Sequence, residues 1–304
     1  MKPRALQPGS TIALVSPASP LSEDKLEFMT RLLEGEGYRV VRGRHVLDAD
    51  DYLAGSDEDR AEDLMGAFGD PVVDAVLATR GGYGCARLFP HLDLDRMAAS
   101  RKLFLGFSDV TTLHLALNRR GLPTVHAPMA LTLHYPREAW VYDSLLRVLR
   151  GDLEPPEAAP RGTTATPGRA EGVVVGGCMC LLADSIGTPE AFDGTDRIVV
   201  LEDVDEAPHR IDAMLTHMLN AGILQGARGI VVGEMTRTDE RVDEGIGGKP
   251  WKEIFDDRLG PLGIPTVYGY PLGHMKGMLS LPLGIQARLD ADAGTLSYLE
   301  PLFE

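Results

Sequence analysis

Through its first 120 residues the chain alternates short apolar runs with helical stretches, and this alternation restricts the possible folds more than any other feature. Thr11–Ser16 (TIALVS) has the pattern of a buried strand and is closed by Pro17 and Pro20. Leu26, Met29, Leu32 and Leu33 recur at helical spacing over 22–36, with Gly35 and Gly37 where a helix would stop. Tyr38–Val41 predicts a second strand. A helix is expected over Asp57–Phe68, with Ser56 as N-cap and acids in the first turn, where the helix dipole favours negative charge. Val72–Thr79 and Lys102–Phe107 are further apolar runs, and Asp109–Arg120 predicts another helix. Strand–helix units of this kind build an α/β domain, a doubly wound parallel sheet with helices on both faces. Ligands of such sheets bind beyond the carboxyl ends of the strands. Two stretches fall at such ends: Arg80-Gly81-Gly82-Tyr83-Gly84 and Gly106-Phe107-Ser108-Asp109.

The pattern changes over 151–170, where Pro155, Pro156, Pro160 and Pro167 stand among Gly, Thr and Ala, a linker composition. Beyond it, Gly172–Val175, Arg197–Glu202, Gly229–Gly233, Thr266–Tyr270 and Ile285–Leu289 read as strands. Clear helical spacing occurs only at Cys180–Ile186 and around Ile211–Ala221. The expected organisation is a doubly wound domain over 1–150, a linker over 151–170 and a β-rich domain over 171–304. At 304 residues the chain is long enough for two cores. The polar, glycine-rich stretch 236–249 is expected to be a loop.

A formal net charge of -15 argues against nucleic acid, since phosphate binding needs clustered Lys and Arg. No apolar run reaches the length that crosses a bilayer, and Ile12–Val15 is too short for a signal-peptide core, so the expected location is cytoplasmic. The three cysteines, Cys85, Cys178 and Cys180, suggest no disulfide framework and are expected to be reduced packing residues. The Cys-x-Cys pair lacks the sequence partners of a zinc site, and no metal or organic cofactor is expected.

Four segments carry residues suited to chemistry. Ser108 stands between a strand and a helix, where a hydroxyl can project and the next amide can face an oxyanion; a helix cap is the plainer role for the same residue. The nucleophile-elbow motif wants glycine two residues later, and Val110 stands there. The glycines of 80–84 let backbone approach a ligand or make a tight turn. They match neither the G-x-G-x-x-G spacing nor a P-loop. Glu202 is joined directly to the apolar run Ile198–Leu201, so it is the acid expected to be buried and in need of a partner, whereas Asp203, Asp205 and Glu206 are expected to face water. His274 lies in the glycine-rich loop after Thr266–Tyr270, a position suited to a catalytic base. Of the other histidines, His114 and His217 fall on expected helices, and His45, His91, His134 and His209 lie in polar surroundings. His126 follows an apolar segment and could line a cleft, as a structural residue or as one that supports the residues touching a ligand. Two rival readings stay open on residues alone: a binding protein that holds an anion on the glycine loop, and a metal hydrolase using Glu202, Asp203, Asp205 and His209.

Taken in order, Arg80-Gly81-Gly82-Tyr83-Gly84, Gly106-Phe107-Ser108-Asp109-Val110-Thr111, Leu201-Glu202-Asp203-Val204-Asp205-Glu206 and Gly269–His274 followed by Leu281-Pro282-Leu283-Gly284 resemble the LD-carboxypeptidase family of serine peptidases. Val15-Ser16-Pro17, His126-Ala127-Pro128-Met129 and Leu181-Leu182-Ala183 before Gly187-Thr188-Pro189 add to the match, which runs from about Gly9 to Gly284. The resemblance implies Ser108 as nucleophile, His274 as general base and Glu202 as the group that orients it, in an interdomain cleft. It further implies an oxyanion hole from the amides of Asp109 and Gly82, with Arg80, Gly81 and His126 as candidate substrate contacts. It implies a homodimer acting on a murein peptide, releasing terminal D-alanine during cell-wall recycling, or, in a related branch, a peptidase that hydrolyses the peptide-nucleotide antibiotic microcin C. Two residues depart from the family pattern: Cys178, where asparagine is usual, and His209, where tyrosine is common.

Overall fold

The structure is a computed structural model and describes residues 2–304. Its strands, in chain order, are β1 (Thr11–Val15), β2 (Arg39–Arg42), β3 (Ala75–Ala78), β4 (Leu103–Gly106), β5 (Thr124–His126), β6 (Thr163–Thr166) and β7 (Arg169–Cys178). They continue with β8 (Arg197–Val204), β9 (Gly229–Thr236), β10 (Thr266–Tyr268), β11 (Leu281–Leu283), β12 (Gln286–Asp290) and β13 (Thr295–Tyr298). The chain divides into two compact units. The first comprises the chain up to Pro156 with Leu279–Gly284 and Pro301–Glu304; the second comprises Glu157–Met278 and Ile285–Glu300.

In the first unit the strand order is β2-β1-β3-β4-β5-β11. The first five strands are parallel, and β11 closes the edge antiparallel to β5, with Leu281 opposite His126. Every residue of β1, β3 and β4 is buried. This is why they appear in sequence as unbroken apolar runs rather than alternating ones. The chain moves from β1 outward to β2, then crosses back to β3 and proceeds the other way. The carboxyl ends of β1 and β3 therefore flank the point where a doubly wound sheet opens a crevice. Helices Glu23–Gly35, Asp57–Gly69 and Thr111–Arg119 fall within about two residues of the spans expected from apolar spacing. Ser56 caps the second of them, its Oγ accepting from the Asp59 amide at 3.1 Å.

The second unit holds a seven-stranded sheet, β13-β12-β7-β8-β9-β10-β6. Its centre, β7 to β10, is parallel, and β6 and β12 flank it antiparallel. Three features depart from the sequence reading. Thr163–Thr166, within the proline-rich stretch read as linker, is a strand on β10. A third helix, Trp251–Leu259, buries Trp251, Ile254, Phe255 and Leu259 along one face. The third is β11: Leu281–Leu283, read with the second domain, pairs instead into the first sheet. A three-residue strand whose partner lies far away in sequence has no local periodicity to announce it.

Candidate active site

In the first unit, β4 runs into Phe107, which is extended, and then Ser108 turns into the left-handed region at φ +64°. A side chain held there costs roughly 1–3 kcal/mol of backbone strain, a cost characteristic of functional turns. A single 3-10 turn, Ser108–Val110, leads into the helix Thr111–Arg119. The glycine loop after β3 lies against this turn. A Cβ on Gly81 would stand 2.7 Å from Ser108 Cβ, 2.9 Å from its Oγ and 3.3 Å from the Asp109 amide nitrogen. Only glycine lets the loop backbone come so close to the hydroxyl. Gly82, at φ +114°, packs on the Ser19 hydroxyl, which accepts from the Tyr83 amide at 3.2 Å. The Ser19 amide in turn donates to Gly81 O at 3.3 Å. The ends of β1, β3 and β4 are thus knitted into one surface.

Two buried charged residues hold these loops. Asp109 accepts from the Cys85 amide at 2.8 Å, and burial pushes its carboxyl up from the usual range. Asp109 therefore fastens the glycine loop from below instead of capping its own helix. Arg60, 1 % exposed, donates to Pro17 O at 2.5 Å and Gly84 O at 3.1 Å. Arg80 donates to Gly81 O at 3.2 Å and Pro20 O at 2.9 Å. It is half-buried, which lowers its pKa, and no carboxylate among the described residues pairs with it. His126, a candidate substrate contact, takes the structural position that its sequence setting also allowed. It is wholly buried at the end of β5, opposite Gly106 of β4, with its ring 5.4 Å from that of Phe107. It supports the serine turn from behind. His114 does likewise, bonded to Gly106 O at 2.8 Å.

In the second unit, β8 carries Glu202 to full burial. The His274 imidazole Nδ1 lies 2.7 Å from Glu202 Oε2, and the His274 amide donates to the same oxygen at 3.3 Å. A carboxylate only accepts, so Nδ1 carries the proton and Nε2 is the basic nitrogen of the neutral ring. Burial alone would lower the pKa of His274, but the charge and hydrogen bond of Glu202, with Asp203 and Asp205 beyond, raise it above the ordinary 6.5. Gly273, at φ +87°, has the Glu202 carboxyl where a Cβ would be, its carboxyl carbon at 2.5 Å. The acid can therefore reach the histidine only across a glycine.

The acids after Glu202 divide. Asp203 is buried and accepts from the amides of Cys180 and Val204, each at 2.8 Å. Burial and the neighbouring Glu202 push its pKa to about 6. Asp205 faces Arg237 and Arg241, which hold its carboxyl low. Glu202, Asp203, Asp205 and His209 are not gathered into a donor cluster: among the described residues, the three-donor groups are Cys178, Cys180 and Asp203, and His45, Asp48 and Asp59. The expectation that Asp203 faces water is corrected, because the strand carries it inward past a bulge between Leu201 and Asp203. Ser19, Arg60 and Gly273 were not singled out by the sequence. Only Gly273, next to the histidine, carried a signal that could have been read.

The LD-carboxypeptidase N-terminal domain family matches residues 12–127, and the corresponding C-terminal domain family matches residues 171–289. A Streptomyces coelicolor protein bearing a carboxypeptidase name is 42% identical, over 99% of this chain and 97% of its own. The murein tetrapeptide carboxypeptidase of Pseudomonas aeruginosa is 35% identical, over 92% of this chain and 93% of its own. A microcin self-immunity protein in its apo state superposes with a TM-score of 0.87, covering 100% of both chains at 21% identity, a likeness of fold. The two domain matches and the full-length relatives agree: this chain belongs to the LD-carboxypeptidase family.

Proposed function

We propose that the protein is a serine-type LD-carboxypeptidase that removes the terminal D-alanine from murein tetrapeptide, L-Ala-γ-D-Glu-meso-diaminopimelate-D-Ala. The observation that carries this reading is the 2.7 Å contact between His274 Nδ1 and the fully buried Glu202. A buried carboxylate holding the δ nitrogen leaves the ε nitrogen as a base, which is the arrangement a serine hydrolase needs. Ser108, held in the left-handed region at the end of β4, is the matching nucleophile.

In this mechanism Ser108 Oγ attacks the carbonyl of diaminopimelate while His274 Nε2 takes the hydroxyl proton. Glu202 stabilises the imidazolium that forms. The amides of Asp109 and Gly82 face the developing oxyanion. As the tetrahedral intermediate collapses, His274 returns the proton to the departing D-alanine amine, leaving an acyl-enzyme. A water molecule then gives a proton to His274 and attacks the ester carbonyl, and His274 returns that proton to the departing Ser108 Oγ as the tripeptide acid is released. Arg80, bonded to the backbone carbonyls of Gly81 and Pro20 and, among the described residues, paired with no carboxylate, supplies a cation for the substrate's terminal carboxylate. The reading includes cytoplasmic action in wall recycling and a homodimer, both implied by the resemblance. The murein substrate is preferred to a peptide-nucleotide because the 35%-identical relative bears the murein name, whereas the microcin likeness is one of fold.

The test is release of D-alanine from the tetrapeptide by wild type and by Ser108→Ala. Wild type is expected to release it, and the variant to lose about 10⁶-fold in kcat while staying folded. Absence of release by wild type would reject the murein substrate and direct the assay to peptide-nucleotides. An equally active variant would reduce Ser108 to a helix cap. Labelling by a fluorophosphonate separates an enzyme from a binding protein.

A further inference from the structure

Strands β7 and β8 end side by side, with Cys178 in register with Glu202. The helix Met179–Ser185 begins at once, so Cys180 folds back over the strand ends. Cys178 Sγ then lies 3.4 Å from Cys180 Sγ and 3.7 Å from Asp203 Oδ1. One donor atom from each of the three residues lies within 4.8 Å of the other two. Cys178 and Asp203 are buried, and Cys180 is partly exposed. We propose that Cys178, Cys180 and Asp203 form a binding site for a soft divalent cation of the zinc or cadmium kind, open to a fourth ligand on the Cys180 side.

The distances suit such an ion. A tetrahedral centre with sulfur at about 2.3 Å and oxygen at about 2.0 Å has a sulfur–sulfur edge of about 3.8 Å and a sulfur–oxygen edge of about 3.5 Å. The two edges measured here differ from these by a few tenths of an ångström, within reach of small side-chain rotations. The carboxylate is already oriented, because the amides of Cys180 and Val204 hold its two oxygens. Supporting bonds of this kind fix ligand geometry in metal sites. Two sulfur donors select a soft ion over magnesium or calcium, which take oxygen. Without an ion the thiols keep their protons. The Cys180 thiol, burial and the charges of Glu202 and Asp203 push Cys178 well up, and Cys180 is raised as well, burial and Asp203 outweighing the lowering hydrogen bond from Cys178. Binding therefore exchanges two thiol protons for one doubly charged ion, and that ion offsets the negative charge gathered at the ends of β7 and β8.

The experiment uses the full-length protein, reduced with a phosphine and shown by thiol titration to carry its three thiols, with cadmium as the probe. Titration is expected to produce a thiolate-to-cadmium charge-transfer band that saturates at one ion per chain, with release of about two protons. Cys180→Ser is expected to reduce the saturated band to about half, since Cys178 alone then supplies thiolate, and to weaken binding by more than the roughly 10–100-fold that loss of a supporting bond costs. Asp203→Asn is expected to weaken binding while keeping the band, and Cys85→Ser to change neither. A band of undiminished intensity and affinity in Cys180→Ser, or cadmium bound with no band, would overturn the proposal. The second outcome would assign the ion to oxygen and nitrogen donors such as His45, Asp48 and Asp59.

Discussion

The serine turn of the first unit and the histidine loop of the second solve the same steric problem by different physics. In each, a glycine removes the one carbon that would separate backbone from a functional side chain: Gly81 against Ser108, and Gly273 against Glu202. Ser108 itself is then held by conformation, with a left-handed backbone and a following helix, while the charged groups Arg60 and Asp109 fasten the loops around it. His274 is held by charge, its ring fastened to an acid that water does not reach. A steric device is indifferent to pH and an electrostatic one is not. Substitutions in the two regions should therefore damage the enzyme in distinguishable ways.

The sharpest test of that difference is Glu202→Gln, which keeps the shape and removes the charge. It is expected to lower kcat/KM by about 10⁴-fold. In the proposed mechanism His274 must be neutral to accept the serine proton, so the rate is expected to rise with pH as the ring deprotonates. Because Glu202 raises the pKa of His274, the acid limb of wild type lies above the ordinary 6.5, and the variant's limb moves to lower pH. A pH–rate profile in which the limb does not move would sink the electrostatic half of the comparison.

Next in size are the two glycines. Gly81→Ala and Gly273→Ala each place a methyl on a functional group and are expected to cost about 10²-fold in kcat/KM through misplacement alone. Their pH profiles should differ. Gly81→Ala lowers the whole curve and leaves the acid limb in place, whereas Gly273→Ala separates Glu202 from His274 and shifts the limb downward. Identical profiles would erase the distinction drawn here. The smallest effect concerns stability. Ser108→Gly relieves the left-handed strain that Ser108→Ala retains, so the glycine variant is expected to be about 1 kcal/mol more stable to urea than the alanine variant. Equal midpoints would mean that the turn stores no strain.

The sequence displayed the parallel sheet of the first unit well, because β1, β3 and β4 are buried on both faces and must be apolar throughout. The candidate residues Ser108, Glu202 and His274 were legible from their places after strands and from the family resemblance, not from the spacing of any one motif. What could not be read depends on distant parts of the chain. Asp109, at the start of a helix and of a residue type that caps helices well, shows its role only when the Cys85 amide is found bonded to it. His126 resembles a cleft residue until β4, β11 and Phe107 close over it. The Cys178–Cys180 pair has too few local partners for a metal site, and its third donor, Asp203, arrives on the neighbouring strand. The helix Trp251–Leu259 is a different case. Its apolar residues stand at helical spacing and were readable, yet the segment just beyond the 236–249 loop was left unassigned.

The late strand β11 has a consequence for how the protein is made. The parallel sheet has all its other strands once His126 has been synthesised, yet the strand that covers the free edge of β5 is at 281–283. At ordinary translation rates the ribosome delivers it roughly ten to thirty seconds later. For that interval the nascent sheet exposes unpaired backbone on β5, the kind of edge that recruits other chains. A fragment ending near Pro156 keeps that exposure permanently, and its behaviour is expected to be that of an aggregating intermediate rather than of a small domain.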